Sequence, residues 1–144
     1  MRLFLTALVV LAVPALPVIA APESATFIEN QKLLEAFAKP GNLVNTGEYR
    51  VQTSRRVKPG GVEVHEKETD IFYVADGAAT LVTGGTVVDA KTTRPHQIAG
   101  TGINGGESRR ISKGDVVVIP AGVPHWFKEV DGFVNYLVVK VVKP

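Results

Sequence analysis

No cysteine occurs anywhere in the 144 residues. Disulfide bonds and thiol catalysis are therefore excluded, and the fold must be held by its packed core alone. Charge of one sign is also lacking, since 16 basic residues face 14 acidic ones. Without a basic surplus there is no electrostatic case for nucleic acid or for an anionic membrane surface as a partner. The short basic runs Arg55, Arg56, Lys58 and Arg109, Arg110, Lys113 carry no interleaved aromatics and read as solvated strand faces or loop ends. Gly84-Gly85 and Gly105-Gly106 lack the helix and lysine that a phosphate-binding loop requires. No serine sits in a nucleophile-elbow context, and no internal repeat is visible.

A long apolar run occurs once, at the start. Arg2 precedes an apolar stretch over residues 3–13, and Val18, Ile19 and Ala20 form a small-residue exit. This pattern reads as a secretory leader cut after Ala20, which implies a secreted or periplasmic protein. An uncleaved anchor is the alternative, because residues 3–21 approach the ~20 residues that span a bilayer. Pro14 and Pro17 argue against it, since each removes a backbone donor and kinks a spanning helix. With no cysteine near the cut, a lipid anchor is excluded. Cleavage leaves 124 of the 144 residues, enough for one domain and too few for two. Loss of Arg2 brings the basic residues to 15 against 14 acidic ones, a net charge of about +1.

Residues 21–41 read as a helical segment. Thr26 followed three residues later by Glu29 is a capping box, Phe27, Leu33, Leu34 and Phe37 share one face, and Lys39-Pro40-Gly41 supplies the stop. From residue 42 to 144 the chain turns to β-rich runs, at 49–57, 62–67, 70–75, 79–82, 86–88, 116–119, 125–130 and 133–142. So many short strands with so little helix indicate an all-β sandwich or barrel. Asp76-Gly77 and Asp131-Gly132 read as tight hairpin turns. Residues 92–106, glycine-rich and interrupted by Pro95, read as a functional loop over a barrel mouth.

The run Gly114-Asp-Val-Val-Val-Ile-Pro120-Ala-Gly122-Val-Pro-His125-Trp-Phe-Lys-Glu129 carries the most specific signal. A strand rises, Pro120 to Gly122 turns it, and His125 opens the returning strand. Period-two alternation then sends His125, Phe127 and Glu129 inward and Trp126 outward. The run resembles the second motif of the cupin superfamily, matching its Gly, Pro, Gly and His positions, with Glu129 where that motif has Asn. Counting back from Gly77, Asp70 falls where the first motif has Glu, His65 at its second His, and Glu63 at its first His. The leading glycine of that motif is out of register. The resemblance implies a single jelly-roll-like cupin barrel, with one divalent transition metal held by Glu63, His65, Asp70 and His125.

The residue chemistry supports this. Glu63 and His65, two apart on a strand, share a face, and Asp70 is expected to return onto that face in a tight antiparallel pairing. His125 arrives from a distant strand. Two buried carboxylates without a cation would be costly, and a divalent metal removes the difficulty. Two imidazoles and two carboxylates suit Mn, Fe, Co, Ni or Zn and disfavour Cu(I). If only three groups bind, a two-His, one-carboxylate site with open positions results. The alternative is a barrel that has lost its metal, with Glu63 at the surface and the two histidines as hydrogen-bonded fillers.

Phe72, Phe127 and Tyr136 are expected to line the pocket, or to serve simply as core. Glu129 either accepts a hydrogen bond from a ligating imidazole or faces solvent at the strand end. His96, in the irregular stretch, is either a loop residue closing over the pocket or merely solvated. Two functions remain open. One is a metal-dependent enzyme of oxygenase, decarboxylase or isomerase type acting on a small oxygen-rich molecule, with Glu63 the candidate base. The other is a non-catalytic module that binds a sugar, an organic acid or the metal itself. The resemblance also implies a homodimer.

Overall fold

A computed structural model describes residues 24–143, so the leader expected over residues 1–20 lies outside the described residues. Among the described residues, no helix is long and apolar enough to cross a membrane. The helix α1 (Asn30–Ala38) starts later than the capping box predicts. Glu29 is its N-cap with no side-chain cap bond, so the Thr26–Glu29 box does not form. Of the expected apolar face only Phe37 is buried, while Phe27 is 86% exposed.

Eleven strands follow: β1 (Asn42–Asn45), β2 (Tyr49–Arg56), β3 (Val62–His65), β4 (Glu68–Thr83), β5 (Thr86–Val88), β6 (Lys91–Arg94), β7 (Gln97–Gly100), β8 (Gly102–Asn104), β9 (Glu107–Ser112), β10 (Val116–Ile119) and β11 (His125–Val142). The two long strands β4 and β11 pair antiparallel along almost their whole length and bend together, so each belongs to both layers of the barrel. In one layer, residues 134–141 of β11 lie between β2 and the first half of β4, with β10 on the far side of β4. In the other, the first residues of β11 lie between β3 and the second half of β4, with β7 and β6 beyond β3 and β9 beyond β4. Strands β5 and β8 form a separate two-stranded sheet. This is an all-β jelly-roll barrel, the form that the resemblance implies, where the strand pattern alone predicts a sandwich or a barrel.

Asp76-Gly77 and Asp131-Gly132 are not hairpin turns. Each lies inside a long strand, where the β4–β11 register shifts between Asp131 and Val134 and again between Asn135 and Tyr136. Gly77 at φ +77° and Gly132 at φ +71° adopt the left-handed conformation that a two-residue turn would use, and spend it on bulges that bend the strands from one layer to the other. At Gly77 only hydrogen fits, because a Cβ would lie 2.0 Å from the Phe133 carbonyl oxygen.

Residues 92–106 are not an irregular loop. They include the end of β6, all of β7 and β8, and the Pro95-His96 turn between β6 and β7. The apolar core of Phe72, Val74, Leu81, Ile111, Phe127, Val134, Tyr136 and Val138 fills the space between the layers. Helix α1 lies outside, over β2, where buried Thr53 donates from Oγ1 to the Ala36 carbonyl at 2.8 Å. Thr53 thus faces away from the interior cavity that Gln52, Ser54 and Arg56 line.

Candidate metal centre

The Pro120-Ala121-Gly122-Val123 turn sets the geometry of the site. Val123 N–H donates to the Pro120 carbonyl at 3.1 Å and Gly122 has φ +84°, as the third residue of a type II turn requires. Gly122 N–H also donates to the His65 carbonyl at 2.8 Å, tying the turn to β3. Two residues after the turn's end, His125 begins β11 directly opposite Glu63 of β3. Local turn chemistry therefore brings the rings of His65 and His125 together, with centroids 5.1 Å apart.

Asp70 reaches the same place by another route than expected. Strand β3 pairs with β7 and β11, not with β4. Only Glu66 and Lys67 separate β3 from β4, and that short link crosses from one layer to the other, so Asp70 faces β3 across the interior. Its Oδ2 lies 3.5 Å from His65 Nε2 and 3.8 Å from His125 Nε2. Glu63 Oε2 lies at the same two distances, 3.5 Å and 3.8 Å, from those nitrogens. The donor atoms of Glu63, His65 and His125 fall within 4.8 Å of one another.

Both rings are held by the nitrogen that faces away from this cluster. His65 Nδ1 is hydrogen-bonded to Gln97 Oε1, whose strand β7 places it directly opposite His65. His125 Nδ1 donates to the Val123 carbonyl at 3.3 Å. A carbonyl oxygen can only accept, so each Nδ1 carries the hydrogen and each Nε2 offers its lone pair when the ring is neutral. His65 Nε2 is buried without a hydrogen-bond partner. The 3.5 Å to Glu63 is an electrostatic contact rather than a good hydrogen bond.

The expected excess of negative charge is absent. Arg56 Nη2 donates to Glu63 Oε1 at 3.3 Å, and Lys140 Nζ donates to both oxygens of Asp70, at 2.6 and 2.8 Å. The protein therefore balances both carboxylates with its own cations, and what points to a metal is the buried, unpartnered Nε2 of His65 beside the His125 ring. The His65 ring, followed by the Arg56 guanidinium, holds the Glu63 carboxyl at about 2 against the opposing effect of burial. Burial alone would lower the His65 imidazole, but Glu63 and then Asp70 more than offset it and leave it raised. Burial leads at His125, which is lowered.

Beside the cluster lies an interior cavity of about 180 Å³. Phe72, Phe127 and Tyr136 line it, their rings packed with centroids 5.0–5.8 Å apart. The polar wall of Gln52, Ser54, Arg56 and Lys140 was not anticipated. Arg56 departs from the solvated reading of its basic run: its guanidinium stacks 4.7 Å above the Phe127 ring and donates through Nε to the Tyr136 hydroxyl at 3.0 Å. Arg55, its neighbour, does face out. The signal was the alternation Gln52, Ser54, Arg56, which a closed barrel turns inward.

Glu129 faces solvent, because a register shift between Phe127 and Glu129 reverses the alternation and leaves its carboxylate accepting from Thr80 Oγ1 at 3.2 Å. His96 is exposed on its turn beside Glu66, with Nδ1 3.4 Å from Oε2. The segment expected as a mouth loop does border the site, though as strands. Thr93, Arg94 and Gln97 line an outer groove with Glu63 and His65.

A family model described as Cupin matches residues 42–142. No curated protein matches the chain. Among solved structures it is similar to BH2720 from Bacillus halodurans, at 12% identity over 83% of this chain and 83% of that one, with a TM-score of 0.58. It is similar to KdgF from Halomonas sp., at 17% identity over 73% of this chain and 80% of that one, with a TM-score of 0.52. Over 67% of its length it aligns with 52% of peruvianin-I, a cysteine peptidase from Thevetia peruviana latex, at 12% identity and a TM-score of 0.44. At such identities the likenesses speak for the fold alone.

Proposed function

From the premise that the chain belongs to the cupin family, we propose that it holds one divalent transition metal on His65, His125 and Glu63, and acts as a metal-dependent enzyme on a small oxygen-rich molecule. The observation that carries this reading is the pair of imidazoles fixed through Nδ1, with the buried Nε2 of His65 left unpartnered beside a carboxylate. Two imidazoles and a carboxylate suit Mn, Fe, Co, Ni or Zn. Such a cation supplies Lewis acidity or a redox centre toward a chelating oxygen ligand.

The chain's own residues do the rest. Gln97 and the Val123 carbonyl orient the rings. Arg56 steadies the Glu63 carboxylate, which at 44% side-chain exposure stands at the mouth and remains the candidate base. Phe72, Phe127 and Tyr136 keep one wall of the cavity dry. A cavity of about 180 Å³ is smaller than the ~300–1,000 Å³ typical of drug-sized ligands, so the substrate is a small molecule. With Glu63 and Asp70 matched by Arg56 and Lys140, the charge a metal would add favours an acid or enediol over a neutral sugar.

The deciding experiment is elemental analysis of the purified protein, followed by a screen for oxygen uptake and for turnover of small hydroxy acids and enediols. One equivalent of metal, lost in His65→Ala and His125→Ala, is the expected result. A folded protein that takes up no transition metal refutes the reading, and metal without turnover favours the binding module.

Export rests on the apolar pattern of residues 1–20. We also infer a homodimer, for which the support is the exposed Val116 and Val118 of β10, a strand paired only with β4 among the described residues. Elution at monomer mass refutes that inference.

A further inference from the structure

We propose that Lys140 is a positioning residue that withholds Asp70 from the metal, so that the bound cation keeps a replaceable position. This rests on the metal reading above and concerns how that site is completed. Lys140 and Asp70 are register partners on β11 and β4, and both are buried, at 9% and 2% exposure. The ammonium lies 2.6 and 2.8 Å from the two carboxylate oxygens, across the fork that a chelated metal would otherwise occupy.

The second partner of Lys140 is more distant: Glu68 offers Oε2 at 3.7 Å and shares its charge with Arg50, which pairs with Oε1. Moving Asp70 onto a metal would leave a buried ammonium poorly compensated, which the interior disfavours. Asp70 Oδ2 lies as close to the two imidazole nitrogens, at 3.5 and 3.8 Å, as the Glu63 carboxylate does, yet both of its oxygens are engaged by the ammonium.

The charge balance has a consequence for the ligand. Glu63 and Asp70 are matched by Arg56 and Lys140, so a divalent cation raises the site from balance to a surplus of two positive charges. The replaceable position then selects a small oxyanion. Removing the ammonium frees Asp70 both to bind the metal and to cancel part of that surplus.

The test uses Co²⁺ as the metal and azide as the exogenous anion. Wild-type protein should bind one Co²⁺, and azide should perturb its visible d–d bands. Lys140→Met should tighten Co²⁺ binding by roughly tenfold or more and weaken the azide response by a similar factor. Asp70→Asn alone, nearly isosteric and still able to accept from Lys140, should weaken Co²⁺ affinity only through the lost charge and by clearly less than Glu63→Gln, which should weaken it by about tenfold or more. The double variant Lys140→Met with Asp70→Asn should lose the gain of the single one.

A folded Lys140→Met protein with wild-type affinity and azide response overturns the proposal. So does an Asp70→Asn protein as impaired as Glu63→Gln, and that variant decides the matter if Lys140→Met fails to fold. Failure of the wild type to bind Co²⁺ instead brings down the metal reading itself.

Discussion

Below the raised pKa of His65, metal uptake should release a single proton, and the proton should come from His65. In the metal-free site the imidazole of His65 is raised above its ordinary value of 6.5, with Glu63 and Asp70 outweighing burial. A cation on Nε2 must displace that proton. Below the raised pKa, each unit fall in pH should therefore weaken apparent affinity tenfold, or about 1.4 kcal/mol. Above it, the dependence should vanish. His125, lowered by burial, is neutral across the same window and adds no second proton until the medium is more acidic. Glu63, held at about 2, is ionised throughout.

The same sign governs the metal-free fold. The stability gained from His65 is fully present below 6.5 and is lost as pH rises through its raised folded value. Calorimetric titration with Zn²⁺ in two buffers of different ionisation enthalpy counts the protons directly. Glu63→Gln removes the leading raising partner, so the break in the affinity curve should move to lower pH even as binding weakens. Two protons released near neutrality, or an affinity flat from about pH 6 upward, would refute the assigned states of the two rings.

Gln97→Leu removes the acceptor that orients His65 and should weaken Zn²⁺ binding by about 10–100-fold, whereas Glu129→Gln, at a solvent-facing position, should leave it unchanged. Phe127→Ala opens a void beneath Arg56 and between Phe72 and Tyr136, and should cost about 3–5 kcal/mol in denaturant unfolding of the metal-free protein. Gly132→Ala should cost about 1–2 kcal/mol for its left-handed backbone alone. Gly77→Ala, whose new Cβ would strike the Phe133 carbonyl, should cost clearly more by the same assay.

Where a feature depends on a few adjacent residues, the sequence was a reliable guide. The turn at Pro120–Val123 and the entry of His125 into β11 are local, because proline, glycine and the period of a strand specify them over six residues. His65 is singled out by the motif that the segment up to Gly77 resembles, and spacing within one strand adds only that it shares a face with Glu63. The bulges did not follow, because Asp-Gly supplies the same left-handed glycine to a hairpin and to a bulge. Only the partner strand decides between them. Glu129 was ambiguous for the same reason, since one extra residue after Phe127 reverses every later side chain. Arg56 was misread because a polar alternation faces solvent in an open sheet and the interior in a closed one. Lys140, alone among the valines of residues 138–142, was a visible anomaly on an otherwise apolar strand. Its meaning lay in Asp70, 70 residues away.

The choice between enzyme and binding module turns on how many donors the protein commits. A storage site gains most by saturating its ion with side chains and has no use for a free position. Here the fourth available donor, Asp70, is engaged by Lys140, and Glu63 stands half-exposed between Arg56 and the imidazoles. A buried ion pair of this kind adds little net stability over an apolar pair of the same shape, so stability does not account for it. On the proposed reading it would leave a bound cation short of ligands at the edge of a small, polar-walled cavity. That arrangement invites an anionic oxygen ligand to bind and leave, which is what turnover needs and storage does not.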